Sequence, residues 1–149
     1  MVSIQTGPNE IAQWHGLVLE AQSASGLYLA EPLEQYLVMT LYAYTTNTSL
    51  STVVITLDFL SALQDTSSVC LQKLRDVGDQ CLILSGLFPE QAKRRNVSPA
   101  YFVNIGKEAY HSLSAAPTQW QVDQHLFYQL FESFSDLTKL LAVLRIRAD

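Results

Sequence analysis

Apolar residues that recur every three or four positions run through most of this chain and constrain its fold more than any other feature. The clearest case lies near the carboxyl end, where Leu126, Phe127, Leu130, Phe131 and Phe134 repeat with a period close to 3.6. This period is typical of one face of an α-helix. A short Val-Val-Ile-Thr run at 53–56 resembles a strand, but it lies within a longer helical pattern. We therefore predict an all-α, single-domain irregular bundle of about seven or eight helices over residues 1–149.

Residues that favour helix ends set the predicted boundaries. Ser98 followed by Pro99 is a strong start signal, because serine caps a helix and proline is tolerated in its first turn. Gly86 and Pro89 predict the end of a preceding helix, followed by a turn at 90–95. We predict helices near 9–25, 32–46, 52–64, 67–86 and 98–114, then a last helical pattern with a break near Ser135. The 32–46 helix is apolar on nearly all sides, which predicts a central position.

Composition and charge narrow the functional classes. Hydrophobic residues make up 48% of the chain and charged residues 15%, a balance typical of globular proteins. Residues 1–72 hold six acids and no Lys or Arg, a net charge of −6, whereas the remainder holds nine bases and eight acids, a net charge of +1. Basic residues cluster only at 93–95 and at Arg145 and Arg147. This is too little to predict nucleic-acid binding.

The sequence predicts a cytoplasmic protein. Its longest apolar runs fall short of the ~20 residues that a membrane span needs. The first residues contain neither a basic start nor an apolar stretch typical of a signal peptide. Cys70 and Cys81 would lie about 16 Å apart on one helix, beyond the reach of a disulfide, so we expect two buried thiols.

Two motifs carry a resemblance to a known family. The patterns GDxxLxxxGLFPE at 78–90 and YFxxxGxxAY at 101–110 resemble those of a family of small bacterial helical proteins. The stretch from the start of the first motif to the end of the second covers about a quarter of the chain. The resemblance implies a bacterial, all-helical, cytosolic protein, and it carries no activity and no catalytic residues.

Histidines and carboxylates give no strong sign of a metal or cofactor site. Glu108 and His111 have the spacing by which one helix supplies two ligands to a di-iron centre, but no second copy of the motif exists. Both residues fall on the polar face of their helix. His15 and His125 lack the closely spaced ligand pairs typical of zinc sites. We predict no metal, no cofactor and no catalytic residue.

Three charged residues are candidates for a buried polar cluster. Asp58 interrupts an apolar run, and the favoured interpretation is an exposed polar stripe shared with Ser61 and Asp65. If Asp58 is instead buried, it needs a donor such as Arg75 or a tyrosine hydroxyl. Arg75 and Asp79 fall on the polar side of the 67–86 helix. A polar pocket at Asp58, Asp79 and Arg75 would favour an enzyme.

The preferred functional hypothesis is a non-catalytic protein-interaction or adaptor module, with self-association as a homodimer also plausible. Its candidate interface residues are aromatic, since aromatic side chains are enriched at interfaces: Tyr42, Tyr44, Tyr101 and Trp120. A third hypothesis is a sensor that holds an apolar ligand among Tyr36, Met39 and Phe59. That sensor requires a large internal cavity.

Two glycines lie within apolar helical faces, where glycine costs ~1 kcal/mol of helix propensity relative to alanine. Gly78 and Gly106 therefore call for a packing reason. We predict that their two helices cross closely at or near these positions.

Overall fold

The computed structural model of the chain describes residues 8–46, 59–62, 68–94 and 98–148. Within these ranges the fold is all-α, as predicted, and residues 59–62 are also helical. The helices are α1 (Pro8–Ser25), α2 (Glu31–Thr46), α3 (Val69–Leu87), α4 (Pro89–Arg94), α5 (Pro99–Ser114), α6 (Gln124–Glu132) and α7 (Phe134–Ala148), with a 3₁₀ turn at Thr118–Trp120. No helix of these ranges has both the length and the apolarity needed to cross a membrane.

Local sequence accounts for most helix ends. Ser98 caps α5 in an extended conformation, and its hydroxyl accepts a hydrogen bond from the Ala100 N–H at 3.2 Å. Two ends differ from the predictions. The segment after Phe88 forms the short helix α4 instead of a turn, since Pro89 is tolerated at a first helical position. The break between α6 and α7 falls at Ser133 and not at Ser135.

The central helix is α3, which packs against both α5 and α7. Ten of its residues are buried, including Val77, Gly78 and Leu82. The helix α2 is not buried on all sides as predicted: within the described ranges it contacts mainly α1, and Met39 on it is 49% exposed. Hydrophobicity alone misled here, because exposed apolar residues are common on protein surfaces.

Glycines allow α3 to approach its neighbours closely. A Cβ atom at Gly78 would lie 2.5 Å from Cε1 of Tyr110 on α5, and one at Gly106 would lie 2.9 Å from Cβ of Cys81 on α3. Gly86 is similar, since a Cβ there would lie 2.6 Å from Cβ of Leu141 on α7. Neither Gly78 nor Gly106 has room for a side chain, and both lie where α3 and α5 meet.

Candidate functional site

A buried carboxylate lies at the centre of the bundle. Asp79 on α3 is 7% exposed, and its Oδ1 accepts hydrogen bonds from two tyrosine hydroxyls. Tyr36 on α2 donates at 2.5 Å and Tyr110 on α5 donates at 2.7 Å. Asp79 therefore joins three helices. Asp79 falls on the polar side of α3 in sequence but was also a candidate for a buried polar cluster, and it is buried. The two hydroxyls supply the partners that a buried carboxylate needs.

Burial controls the ionisation of this cluster. Burial raises the pKa of Asp79 to about 6, although the hydrogen bonds from Tyr36 and Tyr110 lower it. Burial and the neighbouring Asp79 charge also raise the pKa of each tyrosine, so both hydroxyls remain protonated donors at neutral pH. Oδ1 of Asp79 thus accepts hydrogen bonds from two hydroxyls that both stay protonated at neutral pH.

Replacing Asp79 with asparagine should change how stability depends on pH. The pKa of Asp79 in the folded chain, about 6, exceeds its ordinary value of 3.8, so the folded state binds more protons between these values. The contribution of Asp79 to the free energy of unfolding of the wild-type chain is fully present below pH ~4. It is lost as the pH rises through about 6. We expect this loss, of order 2 to 3 kcal/mol, to be absent from Asp79→Asn. Urea denaturation at pH 4, 5, 6 and 7 measures it, and parallel profiles for the two proteins would contradict this interpretation.

Arg75 lies beside the cluster at the protein surface. Its Nε is 3.9 Å from Oδ2 of Asp79, and its guanidinium carbon is 5.3 Å from the centroid of the Tyr36 ring. The Arg75 side chain nevertheless remains 51% exposed. The Arg75 cation therefore lies beside Asp79 and the Tyr36 ring and remains accessible to solvent.

This cation lies in the wall of a groove of about 320 Å³, called here the Arg75 groove. It is formed by α3, the end of α5, the start of α6 with the segment that leads into it, and Tyr36 of α2. Its apolar walls are Leu71, Leu113, Val122, Leu126 and Phe127. Its polar lining residues are Tyr36, Gln72, Arg75, Gln121 and Asp123.

The segment entering α6 has a defined shape at this groove. Gln121 follows the 3₁₀ turn in a left-handed conformation, with φ of 56°. Asp123 then caps α6, and its carboxylate accepts a hydrogen bond from the Leu126 N–H at 3.1 Å. Since that carboxylate already serves as a helix cap, Arg75 is the polar lining residue best suited to bind a charged ligand. A guanidinium can bind a carboxylate through two parallel hydrogen bonds.

A second polar cluster joins α1 to α2 and was not predicted. Glu34 accepts a hydrogen bond from Gln22 at 2.8 Å and lies 2.8 Å from Nε2 of His15. Gln22 in turn accepts from the Leu29 N–H at 2.8 Å. The sequence gives little sign of this cluster, because its members are 7 to 19 positions apart.

Glu34→Gln should reduce stability above pH ~5. The hydrogen bond from Gln22 and then that from His15 lower the pKa of Glu34 below its ordinary value of 4.5. The ionised Glu34 therefore contributes to the free energy of unfolding above its ordinary pKa of 4.5, and this contribution is lost as the pH falls through the lowered pKa. We expect a loss of about 1 kcal/mol at pH 6 that is smaller at pH 3. Denaturation of both proteins at these two pH values measures it, and an equal loss at both would exclude the ionised Glu34 as its source.

The remaining candidate residues are scattered. Asp58 lies outside the described residues. Glu108 and His111 are exposed on α5, and the His111 ring packs 4.8 Å from the Phe131 ring, centroid to centroid. His125 is exposed on α6. No cluster of three or more His, Cys, Asp or Glu residues suited to a metal occurs in the described part of the chain.

The candidate interface aromatics lie on three different elements. Tyr42 and Tyr44 on α2 are partly buried against the core, and Trp120 in the 3₁₀ turn is also partly buried. Tyr101 at the start of α5 is 42% exposed. Two more exposed side chains, Tyr28 and Ile146, were not singled out from the sequence, because local periodicity does not identify which apolar residues remain uncovered. A scan against protein-family models and searches of curated proteins and of solved structures found no match, so the resemblance of residues 78–110 to a bacterial family stays a prediction.

Proposed function

We propose that this chain is a non-catalytic binding module whose Arg75 groove receives a segment of a partner protein. The segment presents an apolar side chain beside a carboxylate. The observation that carries this proposal is the half-exposed side chain of Arg75, which lines the groove and lies beside Asp79 and the Tyr36 ring. The apolar residues of the groove would contact the apolar side chain of the partner, and the Arg75 guanidinium would bind the partner's carboxylate.

The geometry of Asp79 favours binding over catalysis. Two of the three residues of the enzymatic hypothesis, Asp79 and Arg75, do lie together. However, Oδ1 of Asp79 is occupied by two core hydroxyls, and the residue is almost fully buried. A general base must instead reach a proton of its substrate. In the proposed function Asp79 positions Arg75 and does not contact the ligand.

A displayed library of random peptides tests the proposal. We expect selection on the wild-type protein to enrich peptides with Asp or Glu next to Leu, Ile or Phe. Affinity for Arg75→Gln should be roughly ten-fold lower, as expected for loss of one charge-assisted pair. Lys93→Gln, which removes an exposed cation outside both grooves, is the matched control and should bind normally.

Two measurements complete the test. Amide chemical shifts in a bound sample should change around Leu71, Leu113 and Leu126. Melting temperatures of Arg75→Gln and Lys93→Gln establish that each variant is folded. Enriched peptides that bind Arg75→Gln as tightly as wild type, or shift changes confined to another surface, would refute the proposal.

A further inference from the structure

A second groove lies on another side of the molecule, between the α1–α2 connection and the junction of α6 with α7. Its volume is about 300 Å³. Leu27, Leu29 and Leu33 supply apolar lining, and Glu132 and Asp136 supply two carboxylates. Tyr28, which also lines it, is 75% exposed. This Tyr28 groove, defined by these six residues, shares no lining residue with the Arg75 groove.

The last turn of α7 has the complementary character. Ile146 is 70% exposed, and Arg145 and Arg147 flank it. In the described part of the chain, neither arginine forms an ion pair, and neither do Glu132 and Asp136. One surface therefore offers an apolar recess with two negative charges, and another offers an apolar side chain between two positive charges.

The two surfaces of one chain cannot meet. Asp136 and Arg147 lie on the same continuous helix, eleven residues apart. At 1.5 Å per residue this places them about 17 Å apart along the helix axis. Any occupant of the Tyr28 groove with the chemistry of Ile146 and its arginines must therefore come from another molecule.

We propose that two copies of this chain form a symmetric homodimer in which the last turn of each α7 occupies the Tyr28 groove of the other. Two α7 helices that run antiparallel bring both pairs of surfaces together at once. In each helix the first turn, with Asp136, lies beside the groove, and the last turn, with the two arginines, lies at the opposite end. The resulting two-fold arrangement is closed and does not extend into a fibre. Ile146 contacts the leucines, and the arginines pair with Glu132 and Asp136.

Charge reversal tests this arrangement with the full chain. One variant carries Glu132→Lys and Asp136→Lys, and a second carries Arg145→Glu and Arg147→Glu. Either variant alone places like charges at both contacts, so we expect sedimentation equilibrium to show a dimer dissociation constant at least ten-fold higher than that of wild type. A mixture of the two should form heterodimers, because every contact then joins opposite charges. A chain with all four changes keeps the wild-type net charge and should dimerise again.

Wild-type dimerisation should also weaken between 50 and 500 mM NaCl, as salt screens the charge pairs. Circular dichroism at the temperature of the experiment establishes that each variant is folded. A wild-type chain that is monomeric at 100 µM in 50 mM NaCl overturns the proposal. So does a dimer that both variants retain unchanged, or a mixture that fails to form heterodimers.

Discussion

Gly106→Leu is expected to lower the free energy of unfolding by about 3 kcal/mol or more. A Cβ atom at position 106 would lie 2.5 Å from Cζ of Phe134 and 2.9 Å from Cβ of Cys81, and both neighbours are fully buried. Leucine adds three further carbon atoms, so either α5 must move away from α3 or the Phe134 ring must be displaced. Overpacking of this kind costs ~1–3 kcal/mol, and more where backbone must move. Urea denaturation followed by circular dichroism measures the loss.

Two variants serve as controls for Gly106→Leu. Gly16→Ala introduces a Cβ in α1 that meets no atom within 4 Å, so the gain in helix propensity should raise stability by up to ~1 kcal/mol. His111→Ala removes an exposed side chain from the same helix as Gly106, and among the described residues it loses the ring contact with Phe131. It should cost about 0.5 kcal/mol. Equal melting temperatures for Gly106→Leu and His111→Ala would contradict the close packing inferred at Gly106.

The double variant Tyr36→Phe with Tyr110→Phe is expected to lose about 4 kcal/mol at pH 7. Phenylalanine keeps each ring in place but removes both hydroxyls that donate to Oδ1 of Asp79. Loss of a hydrogen bond to a buried charged group costs ~1.5–3 kcal/mol. The pKa of Asp79 should also rise further, since both hydrogen bonds lower it. The two single variants and the double variant form a cycle whose coupling energy reports the shared acceptor.

Removing the carboxylate tests the cause of that loss. Adding Asp79→Leu to the double variant replaces a buried carboxyl group that has lost both tyrosine donors with an apolar side chain, which can be nearly neutral or stabilising. We expect the triple variant to recover at least half of the lost free energy. If it is no more stable than the double variant, the buried carboxyl group without its tyrosine donors is not the source of the loss.

Local sequence predicted the helices well, because the signals that define them are local. The serine and proline at 98–99 define the start of α5 without reference to any other part of the chain. Gly78 and Gly106 could also be identified, since a glycine within an apolar helical face has a cost that only packing repays. The helical pattern before and after Ser133 likewise revealed α6 and α7, although not the position of their junction.

Asp79 and Arg75 were candidates for a buried polar cluster, but the tyrosine partners of Asp79 could not be predicted, since they are distant in sequence. Tyr36 and Tyr110 lie 43 and 31 positions from Asp79, on helices that meet α3 only in the folded chain. On α3 alone, Asp79 shares a polar side with Arg75 and resembles an exposed residue. The two tyrosines lie in apolar patterns and resemble ordinary core residues. Only the tertiary structure shows that the two tyrosine hydroxyls are the hydrogen-bond donors of the buried Asp79.

The buried thiol of Cys81 gives chemical access to motions of the core. Cys81 is fully buried beside Gly106, and burial raises the pKa of its thiol. Alkylating reagents react with an accessible thiolate, so they can modify Cys81 only after α3 and α5 separate locally. The rate of modification by a small thiol reagent, measured without denaturant, therefore reports how often that interface opens. Mass spectrometry can follow this reaction at one position, in the native protein, without any engineered probe.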